Sequence, residues 1–253
     1  MTMLIRGRMY AKRLRNSLWP GPSRPSAPAR HRYRIRGVKL TVFDDPRSSA
    51  TEAIALELRK DRYGLDGMAF REGDVAIDVG GHVGMVSSYL ALRHLALRIL
   101  AFEPFPDNVA CFRRSLEANR VTNVVLSPFA VTSDGRALDL VMHRSNTGGA
   151  TGQLQSLDRA HHTKVRVPSV TLDAVFEQHG IQRCALLKMD CEGTEHEILR
   201  NARCLNRVDA LIGEFHINRD LERRGHSIEE LLAHCRRFIP ADRIRVLACR
   251  MAE

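Results

Sequence analysis

Val75-Ala76-Ile77-Asp78-Val79-Gly80-Gly81-His82-Val83-Gly84 is a short apolar run that breaks into a glycine turn. The run suits a strand covered on both faces, and the residues after the turn take up helical spacing over 83–95, with Val86 and Leu90 among the apolar positions. Strand, glycine turn and helix in that order make the repeating unit of a parallel α/β sheet.

The alternation continues downstream. Spacing predicts a strand at Arg98–Phe102, a helix at Asp107–Asn119 with Val109, Phe112 and Leu116 on one face, and a third strand at Val124–Val131. A less regular interval follows, with a strand at Ala137–His143 and a Gly/Thr/Asn-rich loop at Ser145–Gly152. Thr171 then caps a short helix, Leu172–Gln178, ahead of a continuous apolar strand at Cys184–Met189. A helix at Thr194–Ala202, a strand at Val208–Phe215, a helix at Ile228–Phe238 and a strand at Arg243–Cys249 complete the series. Ser227 and Glu230 have capping-box spacing at the start of that last helix. The expected fold class is α/β: a mostly parallel central sheet with helices on both faces, joined by right-handed crossovers. Upstream, Tyr33–Phe43 reads as a strand or hairpin, and Ala50–Arg62 as an amphipathic helix placed to roof a ligand site.

The 253 residues suit a single domain over 38–253, with a cap at 38–73 and the core at 74–253. A basic, Pro-rich extension precedes it at 1–37, and its first segment reads as a solvated tail, a docking helix around Met9–Trp19 or a transit peptide. Ten of the 39 Lys and Arg residues fall in that extension, which holds no acid, leaving 29 basic against 29 acidic residues elsewhere. The net charge of +10 is thereby assigned to the tail, and a nucleic-acid substrate is not expected. No apolar stretch approaches the roughly 18 residues of a membrane span. Without a secretory segment, the expected location is the cytoplasm. The six cysteines form no C-x-x-C pair and read as packed thiols.

In open α/β sheets ligands bind beyond the carboxyl ends of the strands. Gly80 and Gly81 permit close backbone approach there and Gly84 a tight turn, while Asp78 either accepts from an ammonium or holds the loop. A dinucleotide fingerprint would want glycine where Val79 stands, and a pyrophosphate would be repelled by the nearby carboxylate. S-adenosylmethionine has an ammonium and no phosphate, so an acidic residue suits it; the alternative is a generic glycine loop between strand and helix. Glu103, within Phe102-Glu103-Pro104, lies 19 residues past Gly84, a separation that suits a ribose diol or, alternatively, a helix cap; Pro104 stiffens the turn.

Two further strand tips carry acids. Lys188-Met189-Asp190-Cys191-Glu192-Gly193-Thr194-Glu195 sets two carboxylates two residues apart, and Glu214-Phe215-His216 puts Glu214 and His216 on one side of an extended chain. Methylating an alcohol asks for a base; Asp190 is the first candidate and His216 the second, with Glu192 and Glu214 orienting either. Alternatively Asp190, Glu214 and His216 hold a Mg²⁺ ion that acidifies the hydroxyl. The interval from Ser145 to His162 is long enough for a substrate lid and reads equally as a disordered surface loop. His82, His143, His161, His162 and His196 read as solvated or structural.

With Asn119, Ala130 and Thr171-Leu172-Asp173 added, these motifs give residues 52–216 a resemblance to the FkbM-type methyltransferases. The resemblance implies a seven-stranded Rossmann-like sheet and transfer from S-adenosylmethionine, commonly to hydroxyls of sugars, polyketides or other natural products. It also implies that Asp78, Gly80 and Gly84 contact the methionine portion, Glu103 the ribose, and that Ala130 lies near the adenine. The expected partner is a small-molecule acceptor, the alternatives being an amine acceptor or a non-catalytic scaffold. The chain stops soon after Cys249, short of the usual final strand, which puts one sheet edge and any homodimer surface there in question.

Overall fold

The computed structural model describes residues 27–143, 146–151 and 162–251, and in it the chain first forms a hairpin. Strands β1 (Ala29–Ile35) and β2 (Val38–Asp44) pair antiparallel around Arg36-Gly37. Tyr33 and Ile35 point inward while Arg30, Arg32 and Arg34 alternate with them on the exposed side, as strand geometry requires. Part of the basic charge read as tail therefore sits on a folded surface. The Met9–Trp19 segment lies outside the described residues.

Helix α1 (Ala50–Arg59) follows the hairpin, and the predicted units succeed it: β3 (Val75–Val79), α2 (Met85–Arg93), β4 (Arg98–Phe102), α3 (Pro106–Asn119) and β5 (Val124–Ser127). Asn119 at the end of α3 fixes the hairpin to the core. Its side chain accepts from Thr41 N at 2.9 Å and donates to Thr41 O at 2.5 Å.

The strand expected at 124–131 is divided. Pro128 has no N–H to give a ladder, and the chain leaves the main sheet there. It re-forms as β6 (Ala130–Thr132), which pairs with β10 (Ser169–Thr171). Between these lie β7 (Leu138–His143), β8 (Asn146–Thr151) and β9 (His162–Val167), an antiparallel sheet in the order β8-β7-β9. The stretch read as a loop at 145–152 is thus largely strand β8, edge-paired to β7. Residues 152–161 of the expected lid, with His161, lie outside the described residues.

Thr171 caps α4 (Leu172–Gln178) by accepting from Ala174 N. The chain continues through β11 (Leu186–Met189), α5 (Glu195–Asn201), β12 (Leu211–Ile217), α6 (Arg219–Arg223), α7 (Ile228–Cys235) and β13 (Ile244–Arg250).

Among the described residues the main sheet has six strands, ordered β13-β12-β11-β3-β4-β5, and every pairing is parallel. The seventh strand implied by the resemblance is absent from this sheet, and β13 forms its edge. Each strand divides its side chains between two cores. Ile77, Val79, Leu187, Met189 and Phe215 pack with α4, α5 and α7, whereas Ala76, Leu186 and Ile212 pack with α1, α2 and the hairpin. Strand order reverses between β3 and β11, which opens the crevice where such sheets bind ligands.

Candidate active site

The crevice holds about 690 Å³ of space free of protein atoms, its solvent-open part included. Gly80 from the β3 turn, Glu103 and Pro104 from the tip of β4, and Asp190, Cys191 and Glu192 from the tip of β11 all line it. Phe102, Phe129, Ala130 and Val131 form an apolar wall beside Glu103, and Ile54 of α1 contributes from above, as a roofing helix should.

Glu103 is 4% exposed and tightly held. One carboxylate oxygen accepts from His82 N at 2.8 Å; the other accepts from Phe105 N at 2.9 Å and Asn108 Nδ2 at 3.3 Å. Burial pushes its carboxyl up to about 7 against the pull of these donors. Buried acid beside an apolar wall is the pairing a nucleoside needs: a carboxylate to accept from ribose hydroxyls and a flat apolar surface for a base.

Other expected contacts lie behind the crevice. Asp78, 2% exposed, faces inward with the same strand parity as Ala76; its Oδ2 accepts from Ser87 Oγ at 2.6 Å and its Oδ1 lies 3.1 Å from Lys188 Nζ. Of the two readings open to Asp78, the geometry matches the one in which it holds the loop. Gly81 and Gly84 are also absent from the lining, because their bare Cα atoms make room for the ring of Phe112 on α3. At Gly80 a Cβ would overlap the Asp190 carbonyl, and φ is +79°. Glycine is required there for β3 and β11 to meet.

Lys188, which sequence reasoning left without a role, joins these strand tips. Its ammonium donates to Gly80 O at 2.6 Å and lies 3.1 Å from Asp78 and 3.5 Å from Asp190. Burial alone would favour the neutral amine, but the two carboxylates overcome it and raise the pKa. The available signal was a lysine inside an apolar strand, since a fully buried charge needs partners.

Glu195 was the other omission. Wholly buried, it accepts from Cys191 N at 2.8 Å, from Gly193 N at 2.9 Å and from His216 Nδ1 at 3.1 Å. Burial opposes its ionisation, yet the imidazolium and backbone donors hold its pKa below the ordinary carboxylate value. For His216, desolvation pulls downward while Glu195, Glu192 and Asp190 outweigh it and raise the pKa to about 9. The carboxylates around it favour the protonated ring, which weakens it as a base. Its Nε2 lies 3.8 Å from Glu192 and 3.9 Å from Glu214.

Glu192, 21% exposed at its side chain, has its carboxyl raised by burial to about 7; burial likewise raises that of Asp190. Glu214 stands further along the rim, accepting from Tyr63 Oη at 3.1 Å and from Cys249 Sγ at 3.0 Å. The expected Mg²⁺ set is not gathered in one place. Asp190 groups with Glu192 and His216, while Glu214 groups with His216 and Cys249. The three side chains expected to share an ion are thus divided between two groups, one of which includes the soft thiol of Cys249.

Among the described residues no helix is long and apolar enough to cross a membrane. The family model of the methyltransferase FkbM domain matches residues 78–239. Methyltransferase 1 of Beauveria bassiana is 28% identical over 179 residues, spanning 64% of this chain and 71% of that protein. The 31-O-demethyl-FK506 methyltransferase FkbM of Streptomyces tacrolimicus is 25% identical over 189 residues, spanning 63% of this chain and 72% of its own. Among solved structures, the 16S rRNA N2 G1207 methyltransferase RsmC of T. thermophilus aligns with a TM-score of 0.29 and 19% identity, over 59% of this chain and 52% of that one. The glycine turn, the acid at the tip of β4 and the acid-rich turn after β11 all fall within the matched span, and the chain belongs to the FkbM-domain family of S-adenosylmethionine-dependent methyltransferases.

Proposed function

We propose that the protein methylates a hydroxyl group on a small molecule, sugar or natural product. The observation that carries this reading is Glu192, a carboxyl poised at about 7 in the same crevice as the nucleoside-type pocket around Glu103. A base with a pKa near the working pH is what an alcohol acceptor needs, and it matters less for an amine that already presents its lone pair. The relative from S. tacrolimicus, named as an O-methylating enzyme, supports the same direction.

In this reading Glu103 holds the ribose and Phe102, Phe129 and Ala130 flank the adenine. Gly80 and Asp190 border the amino-acid portion, with Asp78, Gly81 and Gly84 keeping the turn in shape. Bound S-adenosylmethionine supplies an electrophilic methyl group. The protein's task is then alignment, worth on the order of 7–11 kcal/mol when geometry is good, and removal of one proton. Glu192 takes that proton, replacing Asp190 in the role first expected of it. Asp190, steadied by Lys188, orients the acceptor hydroxyl, and the His216 imidazolium keeps Glu192 and Glu214 aimed at the rim.

Isothermal titration with S-adenosylhomocysteine, combined with a panel of hydroxyl and amine acceptors, tests the reading. Binding that weakens at least tenfold in Glu103→Gln, with methyl transfer confined to hydroxyls, is expected. Transfer to amines alone would overturn the proposed acceptor class.

A further inference from the structure

Strand β8 belongs to the inserted antiparallel sheet, away from the strand tips that carry the chemistry, yet Thr147 on it reaches His82 and Asn108, the residues that hold Glu103. The residue is 3% exposed. Its hydroxyl donates to Asp44 Oδ1 at 2.8 Å and lies 2.7 Å from His82 Nε2 and 2.8 Å from Ser48 Oγ. One hydrogen and two lone pairs are all a threonine hydroxyl offers, and three partners use them. Burial drives the His82 imidazole down to about 4; because the Thr147 hydrogen goes to Asp44, the neutral ring meets that hydroxyl as an Nε2–H donor.

These contacts close a ring. Asn108 Nδ2 donates to the Thr147 carbonyl at 2.9 Å and to Glu103 at 3.3 Å. His82 contacts the Thr147 hydroxyl through its side chain and donates its backbone N–H to Glu103 at 2.8 Å. Two of the three donors that fix Glu103 are therefore themselves fixed by Thr147. His82 has a left-handed φ of +50°, unusual for a residue with a side chain, and needs such support. Next along β8, Gly148 lines the crevice.

We infer that Thr147 is a positioning residue for the methyl donor, acting through His82 and Asn108 to set the Glu103 carboxylate, so that donor binding is linked to docking of β8. The inference rests on the proposed role of Glu103. It does not concern the acceptor.

The test is a double-mutant cycle read by titration with S-adenosylhomocysteine on the full chain, with circular dichroism and thermal melts to show folding. Thr147→Val keeps the shape and removes the hydroxyl; Thr147→Ser keeps the hydroxyl. Expected results are about tenfold weaker binding for Thr147→Val, the magnitude of one lost hydrogen bond, and recovery to within about twofold for Thr147→Ser. In a Glu103→Gln background, Thr147→Val should have little further effect, since both act at one point. The donor KM should rise in Thr147→Val with kcat little changed. Fully additive losses, or serine failing as valine does, would overturn the inference. If Glu103→Gln itself leaves binding unchanged, the ribose reading fails instead, and Thr147→Val then reports on a pocket centred elsewhere. Should Thr147→Val fail to fold, His82→Gln and Asn108→Ala in the same cycle replace it, with coupling to Glu103→Gln expected and additivity counting against.

Discussion

The Lys188 ammonium lies 3.1 Å from the carboxylate of Asp78, and both side chains are almost wholly removed from solvent. An ion pair so placed carries a large desolvation cost that the pairing offsets, with Asp190 a second carboxylate 3.5 Å from the ammonium. Removing Lys188 leaves Asp78 as an uncompensated buried charge. Lys188→Met is expected to destabilise the fold by about 3–5 kcal/mol, and Lys188→Met with Asp78→Asn to recover part of the loss. Urea unfolding of the three proteins checks this; a single variant as stable as the parent would show the pair to be idle.

His216 ties stability to pH. Its folded pKa of about 9 stands above the ordinary histidine value of 6.5. Its stabilisation is thus fully present below about 6.5 and declines as pH rises through about 9. Unfolding free energy measured from pH 6 to 9.5 should show this fall. In Glu195→Gln the carboxylate that retains the proton is gone, and the fall moves to lower pH. A parental curve flat across the window would contradict the assignment.

Glu192 governs rate rather than stability in the proposed mechanism. Protonated below about 7, it cannot accept a proton, so kcat/KM should rise about tenfold per pH unit below 7 and level off above. Glu192→Gln should remove this limb and most of the activity while leaving the Kd for S-adenosylhomocysteine within about twofold. A pH profile that survives the substitution would assign the base elsewhere.

Gly80 permits no side chain. With φ at +79° and the Asp190 carbonyl in the space a Cβ would fill, Gly80→Ala should cost on the order of 1–3 kcal/mol from backbone strain alone, plus the parting of β3 from β11. Gly37→Ala is the control, having similar φ but open space around it. Equal losses at the two positions would mean that only backbone conformation matters.

The parallel units were legible because period and punctuation act locally. The strands at Val75–Val79 and Arg98–Phe102 end where their apolar runs end, with a glycine turn after the first and Glu103-Pro104 after the second. Strand β8 was hidden because Gly148 and Gly149 weaken any local strand signal, and its conformation depends on β7 and on the distant partners of Thr147. For Asp78 the motif left ligand contact and loop support both open, because motif spacing ignores strand parity. The parity of Ala76 would have turned it inward. Glu195 and Lys188 act only through tertiary neighbours, and their chemistry appears when β3, β11 and β12 come together.

Strand β13 runs parallel to β12, and Cys249 near its end touches Glu214. An antiparallel last strand would have carried the backbone to the far pole of the sheet. Here it is delivered to the rim that carries Glu214 instead. Any peptide joined directly after Arg250 would therefore start beside Glu214 and Cys249, on the side where the proposed acceptor enters.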